Sequence, residues 1–332
     1  MEFRQLGQTE LKLSAITFGA WAIGGWMWGG SVKKDALSAI RASYDAGITT
    51  IDTAPAYGQG YSEELVGEAI KDIPREKLQI LTKFGMRWDD TRGELAFKSE
   101  DNDGKPIDVH RYAGKQSVID ECEASLKRLG TDYIDLYQIH WPDKITPIAE
   151  TMEALNLLLQ KGKIRAAGVC NYNKAQMEEA EETINLASNQ VPYSMVERSI
   201  ESELLPYCLL NQKSIIAYSP LQRGILTGKI KPGHKFAEGD HRPNTKFYKP
   251  GNLERINHLL ETLEPLAKEK NVTLSQLVIR WTIDQPGVTV ALVGARDAAQ
   301  AEQNAEAINI KLTEDDMTFI NKQIGKLELV EV

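Results

Sequence analysis

The chain has 332 residues, 42% hydrophobic and 26% charged, the balance of an ordinary globular protein, and its length suits one large α/β barrel or two smaller domains. With 39 basic against 47 acidic residues the formal charge is −8, which argues against a nucleic-acid surface, because gripping a phosphate backbone takes clustered Lys and Arg. Three cysteines (Cys122, Cys170, Cys208) fit neither a disulfide framework nor a zinc site, no run of about 18 apolar residues predicts a membrane span, and the charged N-terminus lacks the apolar segment of a signal peptide, so a cytoplasmic protein is expected.

In chain order, the opening "FRQLGQTELKL" predicts a β-hairpin, and short apolar runs then alternate with helix-like runs. "AITFGA" precedes "KKDALSAIRASYDAG", "ITTID" precedes "SEELVGEAIKD", and "LQILTK" precedes, after a polar stretch, "KQSVIDECEASLKRLG". "YIDLYQIH", "IRAAGVC" and "NLASNQ" each lead into a helical pattern, as do "SIIAYSP" and "VTVALVGA". The runs are short and apolar throughout, as strands buried on both faces should be. The helices repeat apolar residues at spacings of three and four, as in Ile119, Cys122, Leu126 and Leu129. Eight such units in roughly 300 residues predict an α/β fold of the (β/α)8 TIM-barrel type, with the hairpin as its cap. A doubly wound nucleotide fold would need G-x-G-x-x-G after its first strand, and "AIGGWMWGG" does not match.

No composition shift marks a boundary, so one domain over residues 1–332 is expected. Two polar stretches, 86–114 and 228–252, are predicted as long loops after the third and seventh strands. They lie on the side where a barrel carries its active site.

The residues at the predicted strand ends carry the chemistry. Asp52 ends the second strand, with Tyr57 in the loop behind it; Lys83 ends the third and His140 the fourth. The fifth ends in Cys170 and Asn171, the sixth in Gln190. A phenol is a poor acid at neutral pH; a nearby ammonium lowers its pKa, and a carboxylate can hold the ammonium in place. Tyr57 is therefore the candidate general acid, Lys83 its tuner, Asp52 the holder of Lys83, and His140 the group that orients a substrate oxygen. Singly, each has a plainer reading: a turn-forming Asp, a solvated Lys, a structural His, a packed Tyr. Their joint placement on successive strand ends favours the catalytic one. His110, His234, His241 and His258 do not group with acids on strand ends, so no metal is expected.

The motifs "LGQTELKLSAITFGAW", "GITTIDTAPAYGQGYSEELVGEAI", "LTKFG", "SLKRLGTDYIDLYQIHWPD", "GKIRAAGVCNY", "YSPLQRGILTGK" and "VALVGARDAAQAEQNAEAI" run in order along nearly the whole chain. With them the sequence resembles the aldo-keto reductases, most of all the bacterial branch with general stress protein 69 and the inositol-operon reductase of bacilli. That resemblance implies Asp52, Tyr57, Lys83 and His140 as a catalytic tetrad, and NADPH or NADP+ bound across the barrel mouth without a Rossmann domain. It implies cofactor contacts from Gly19, Ala20, Trp21 and Asp52 at the first strands. The nicotinamide would stack on Tyr218, its amide held by Asn171 and Gln190, with Cys170 where the family has Ser. The pyrophosphate would meet Ser219, Leu221, Arg223, Gly224 and Lys229, and the adenosine end Gly294, Arg296, Gln300 and Asn304.

The last of these motifs has its own physical logic. A helix N-terminus offers free N–H groups to a phosphate, and Arg296 is a fork-shaped donor suited to a 2′-phosphate; the alternative is that Arg296 pairs with a surface acid. "GILTGK" fails as a P-loop, since Ile230 stands where Ser or Thr is needed. Trp21, Trp26, Trp28, Trp88 and Trp141 fall in strand-end loops. Substrate contacts are expected from Trp21, Tyr57, Trp88, His140 and Trp141. Arg87, Asp89, Asp90 and Arg92 tilt the expected substrate towards polar, sugar-like carbonyls.

The reading is an NADPH-dependent reductase of small aldehydes, dicarbonyls or sugar-like carbonyls. It would be a monomer or weak homo-oligomer, without nucleic-acid or membrane partners. The alternative is a cofactor-binding redox sensor resembling potassium-channel β subunits.

Overall fold

A computed structural model describes residues 1–330. Eight parallel strands close into a barrel: Ile16–Gly19, Thr50–Asp52, Gln79–Phe84, Ile134–Ile139, Ile164–Cys170, Ser188–Pro192, Ser214–Tyr218 and Val288–Val293. Each pairs with its neighbour in the chain, and the eighth pairs with the first through Ala291 and Ile16. Helices follow the strands, beginning with Lys33–Asp45, Tyr61–Ile70 and Lys115–Leu129. The predicted (β/α)8 barrel is the observed fold. In Lys115–Leu129 the buried stripe is Val118, Cys122, Leu126 and Leu129, while Ile119 is only partly buried. Among the described residues no helix is long and apolar enough to cross a membrane.

Alternation along the strands sends Leu81, Leu136, Ala166, Ile216 and Val290 into the barrel interior. The hairpin of Phe3–Gln5 and Lys12–Ser14 plugs the end where the strands begin, with Leu6 and Leu13 fully buried in that cluster. Burying each leucine contributes about 1.5–3 kcal/mol. The turn approaches so closely that a Cβ on Gly7, at φ +51°, would sit 2.5 Å from the Ala187 carbonyl oxygen. Only glycine fits there.

The stretch 86–114 is not a loop. Met86–Arg87, Glu94–Glu100 and Pro106–Arg111 form a three-stranded antiparallel sheet, turned at Asp103-Gly104 with Gly104 at φ +77°. Its inner side chains Phe97, Ile107 and Val109 pack with Trp26, Ala56 and Met86 in a small core of their own. Its tip is fastened across the barrel mouth: Asn102 Nδ2 donates to the Gly24 carbonyl at 2.9 Å and Trp26 Nε1 to that of Glu100 at 2.9 Å.

The stretch 228–252 is irregular apart from the short turns Arg242–Asn244 and Lys246–Tyr248. It crosses the opposite rim. Asp240 bridges to Trp28, the His241 amide donates to the Met27 carbonyl at 3.2 Å, and Arg242 pairs with Asp240 at 2.6 Å while lying 5.0 Å over the Trp28 ring.

Candidate active site

The strand ends surround a cleft of about 670 Å³, between the sheet insertion on one side and the 228–252 strap on the other. On its floor, Lys83 is fully buried and Asp52 is 2% exposed. Lys83 Nζ donates to Asp52 Oδ1 at 2.6 Å, to the Thr53 carbonyl at 2.8 Å and to Tyr57 Oη at 3.2 Å. The other carboxylate oxygen accepts from Gln190 Nε2 at 2.8 Å. His140 follows the fourth strand, and its ring meets Tyr57 edge-on with centroids 5.6 Å apart. Asn171, in left-handed backbone at φ +60°, donates through Nδ2 to the His140 carbonyl at 3.1 Å and accepts from Tyr218 Oη at 3.0 Å. Four groups from three successive strand ends thus meet beneath one opening. Lys83 lies behind Asp52 and Tyr57 and takes no part in the cleft lining.

Burial reverses one electrostatic expectation. It pushes the Tyr57 phenol up to about 12, and the opposing pull of the Lys83 ammonium is smaller. The phenol is therefore protonated at neutral pH, the state an acid must be in before it donates. Burial is the largest influence and would lower Lys83, but its acidic neighbours, Asp52 foremost, together outweigh it and hold the ammonium above its ordinary value. Burial, helped by Lys83, keeps His140 well below the usual imidazole value and hence neutral.

The cleft continues past Tyr218 along the loop after the seventh strand. Gly19, Trp21, Cys170, Asn171, Gln190, Tyr218, Ser219, Leu221, Arg223, Gly224, Lys229, Gly294, Arg296, Gln300 and Asn304 all line it. Ser219, Gln222 and Arg223 all adopt left-handed backbone, with φ between 45° and 56°, a conformation that functional turns retain at a cost in strain. Arg223 Nε is buried without a partner, and among the described residues no carboxylate pairs with this guanidinium. Burial pushes Arg223 below its usual pKa. A cation desolvated in this way, with its donors unspent and turned along a cleft, suits an anionic ligand such as a dinucleotide pyrophosphate. Arg296 is exposed and donates through Nη2 to the Gly30 carbonyl at 2.9 Å rather than to any acid. The helix Ala298–Glu306 does not present a bare N-terminus, because the Asp297 carboxylate already accepts from the Gln300 amide at 2.8 Å. An adenosine phosphate there would depend on Arg296.

Two expected contacts fall away from the cleft. Ala20 is fully buried, its N–H donating to the Asp52 carbonyl and its carbonyl accepting from Ser62. Trp88 lies in the bend beyond Met86–Arg87, outside the lining. The charges of 87–92 are also turned away: Arg87 pairs with Asp89 at 2.8 Å, and Arg92 with Asp90 at 2.6 Å. In their place come Met27, Met86, Phe97 and His241. His241 stacks obliquely on Trp21, centroids 5.0 Å apart. An irregular strap gives no sequence period from which its inward position could be read.

Fold and cleft together define a barrel oxidoreductase. The family model described as the aldo/keto reductase family matches residues 15–324, and the chain belongs to that family. It is 41% identical over 325 residues to aldo-keto reductase YhdN of Bacillus subtilis, covering 97% of this chain and 93% of that one. It is 36% identical over 328 residues to the NADH-specific methylglyoxal reductase of Escherichia coli, covering 97% and 98%. Among solved structures, the glycerol dehydrogenase of Gluconobacter oxydans superposes with a TM-score of 0.88 at 35% identity, covering 99% and 97%. An aldo/keto reductase from Klebsiella pneumoniae in complex with NADP and acetate does so with 0.72 at 29%, covering 99% and 100%.

Proposed function

We propose that the chain reduces small, largely apolar aldehydes, ketones and dicarbonyls with NADPH, using Tyr57 as the general acid. The observation that carries this reading is Tyr57 Oη at the cleft floor, 3.2 Å from the buried ammonium of Lys83 and edge-on to a neutral His140. A bound reduced dinucleotide supplies a hydride to the carbonyl carbon. The protein does the rest. Tyr57 and His140 hold the carbonyl oxygen, and the Tyr57 proton passes to that oxygen as negative charge develops on it. Lys83, fixed by Asp52, stabilises the phenolate left behind.

Tyr218 lines the cleft and donates through Oη to Asn171. Asn171 keeps one amide hydrogen and one lone pair uncommitted, enough to engage a carboxamide. Arg223 would hold the pyrophosphate, and Arg296 a 2′-phosphate, which favours NADPH even though one relative is NADH-specific.

The lining revises the sugar-like expectation. Trp21, Trp26, Met27, Trp28, Met86, Phe97 and Trp141 make the substrate half apolar, and the charges of 87–92 pair among themselves. The test is NADPH absorbance over many turnovers with a panel of aldehydes, dicarbonyls and keto-sugars, for wild type and Tyr57→Phe, with cofactor binding followed by fluorescence. Turnover that is lost in Tyr57→Phe while the cofactor still binds is the expected result. Oxidation of a single bound equivalent followed by arrest would overturn the reductase reading in favour of a redox sensor.

A further inference from the structure

Level with Lys83 lies a polar layer inside the barrel, most of which the chemistry above leaves unused. Parallel pairing sets Lys83 beside Gln138, Gln138 beside Gly168, and Gly168 beside Ser188. These positions share the inward alternation of Leu81, Leu136 and Ala166, which fill the barrel interior one step below. Gln138 and Ser188 are both fully buried. Among the described residues, both ends of the Gln138 amide and the Ser188 hydroxyl lack a hydrogen-bond partner. Interiors seldom leave an amide unpaired at both ends.

Gly168 is what lets the two side chains converge. A Cβ at that position would stand 2.6 Å from Ser188 Oγ and 3.2 Å from Gln138 Cγ. Gln138 also borders the catalytic floor: it pairs across the strands with Lys83, which Asp52 holds, and burial pushes the Asp52 carboxyl above its ordinary value, so an amide set beside it matters. Its orientation matters there. With Nε2 towards Asp52 it donates to the carboxylate; flipped, it would set a carbonyl oxygen against that charge.

We propose that Gln138 is a positioning residue for Asp52, and that Gln138 and Ser188 together hold one internal water that fixes the amide with its N–H groups towards the carboxylate. The water donates to Gln138 Oε1 and exchanges a hydrogen bond with Ser188 Oγ, giving it the two polar partners an internal water needs. The amide then turns its N–H groups towards Asp52, which Lys83 and Gln190 already hold. The inference rests on the proposed role of Asp52 and Lys83 in catalysis, but the water site can be tested apart from it.

The experiment combines a high-resolution crystal structure of the wild-type protein with kcat, KM and pH profiles of Ser188→Ala, Gln138→Leu and Gln138→Glu. Density for one water within hydrogen-bond reach of Ser188 Oγ and Gln138 Oε1 is expected. Ser188→Ala should lower kcat about threefold and Gln138→Leu about tenfold, the range of one ordinary hydrogen bond, with KM nearly unchanged. Gln138→Leu removes a donor facing Asp52, and Ser188→Ala frees the amide to turn its carbonyl towards it; both raise the Asp52 pKa, so the acid limb of the kcat profile moves to higher pH. Gln138→Glu, which sets a second carboxyl against Asp52, should move it furthest.

A dry site, or a direct Ser188–Gln138 hydrogen bond, overturns the water. Wild-type kcat and pH profile in folded Ser188→Ala and Gln138→Leu overturn the positioning role. Should Gln138→Leu fail to fold, Ser188→Ala and Gln138→Glu carry the kinetic test. Absence of turnover in wild type would sink the reductase reading, and the density would still decide the water site.

Discussion

Lys83 and Arg223 are both cations withdrawn from solvent at the same cleft, and they are held in opposite ways. Lys83 is completed by the protein itself, with a carboxylate at 2.6 Å and a carbonyl at 2.8 Å. Among the described residues Arg223 has no carboxylate and its buried Nε no partner, and its backbone is held in the left-handed region. The floor is therefore finished before anything binds, whereas the rim proposed for the dinucleotide is left for a ligand to finish. A proton donor works best in a fixed field, so its surroundings are built in. A binding loop gains affinity and selectivity from charges left unsatisfied until the ligand arrives.

The contrast can be broken at several points. The largest effect should come at the floor: Tyr57→Phe is expected to cost roughly 10²- to 10⁴-fold in kcat with the cofactor dissociation constant unchanged. Because burial places the phenol at about 12, wild-type carbonyl reduction should show no loss from Tyr57 ionisation between pH 7 and about 10, and a basic limb at neutral pH would contradict the floor as described. Lys83→Met strands a buried carboxylate and should destabilise the fold by about 3–5 kcal/mol in urea unfolding, with Asp52→Asn in the same chain recovering much of the loss.

At the rim the sign reverses. Arg223→Met should weaken dinucleotide binding by about 10- to 100-fold, yet leave the ligand-free protein about as stable as wild type, since it removes a desolvated charge that lies over the Trp21 ring but pairs with no carboxylate among the described residues. Calorimetric titration and thermal unfolding of one preparation measure both halves. A smaller change is expected from Arg296→Leu, which should weaken NADPH about tenfold and leave NADH nearly untouched. Smallest is Asn102→Ala, which unfastens the tip of the sheet insertion. It should raise kcat/KM for bulky aldehydes relative to short ones by about two- to threefold, as loss of one hydrogen bond permits.

How legible all this is in the sequence depends on what each residue's position rests upon. The barrel reads directly, because strands buried on both faces must be short and apolar. The floor reads nearly as well, since Asp52, Lys83 and His140 are fixed by where strands stop. Ala20 and Trp88 show the limit. Inward or outward is decided by one step of alternation or one bend, and a sequence does not locate that step at a strand end. The sheet insertion was readable in principle: Phe97, Ile107 and Val109 recur at even spacing around Asp103-Gly104, a hairpin turn dipeptide. Its many charges concealed that pattern. Gln138 stands two residues before His140, hence on the same side of the strand, which only the barrel's closure makes meaningful. The sign at Tyr57 was out of reach, because desolvation is a property of the assembled site.

The seam of the barrel bears on how the protein comes into being. The first strand pairs with the eighth, and Arg4 near the start donates to the carbonyl of Ile283, 279 residues later. Contacts so distant in sequence close late and slowly. On a ribosome, the tetrad residues would all have emerged long before the strand that completes the ring around them. Until then Lys83 would be an ordinary solvated amine and Tyr57 an ordinary phenol. The reactivity proposed for this site is thus deferred to the late closure of the ring, and an interrupted chain carries all four side chains without the surroundings that set their chemistry.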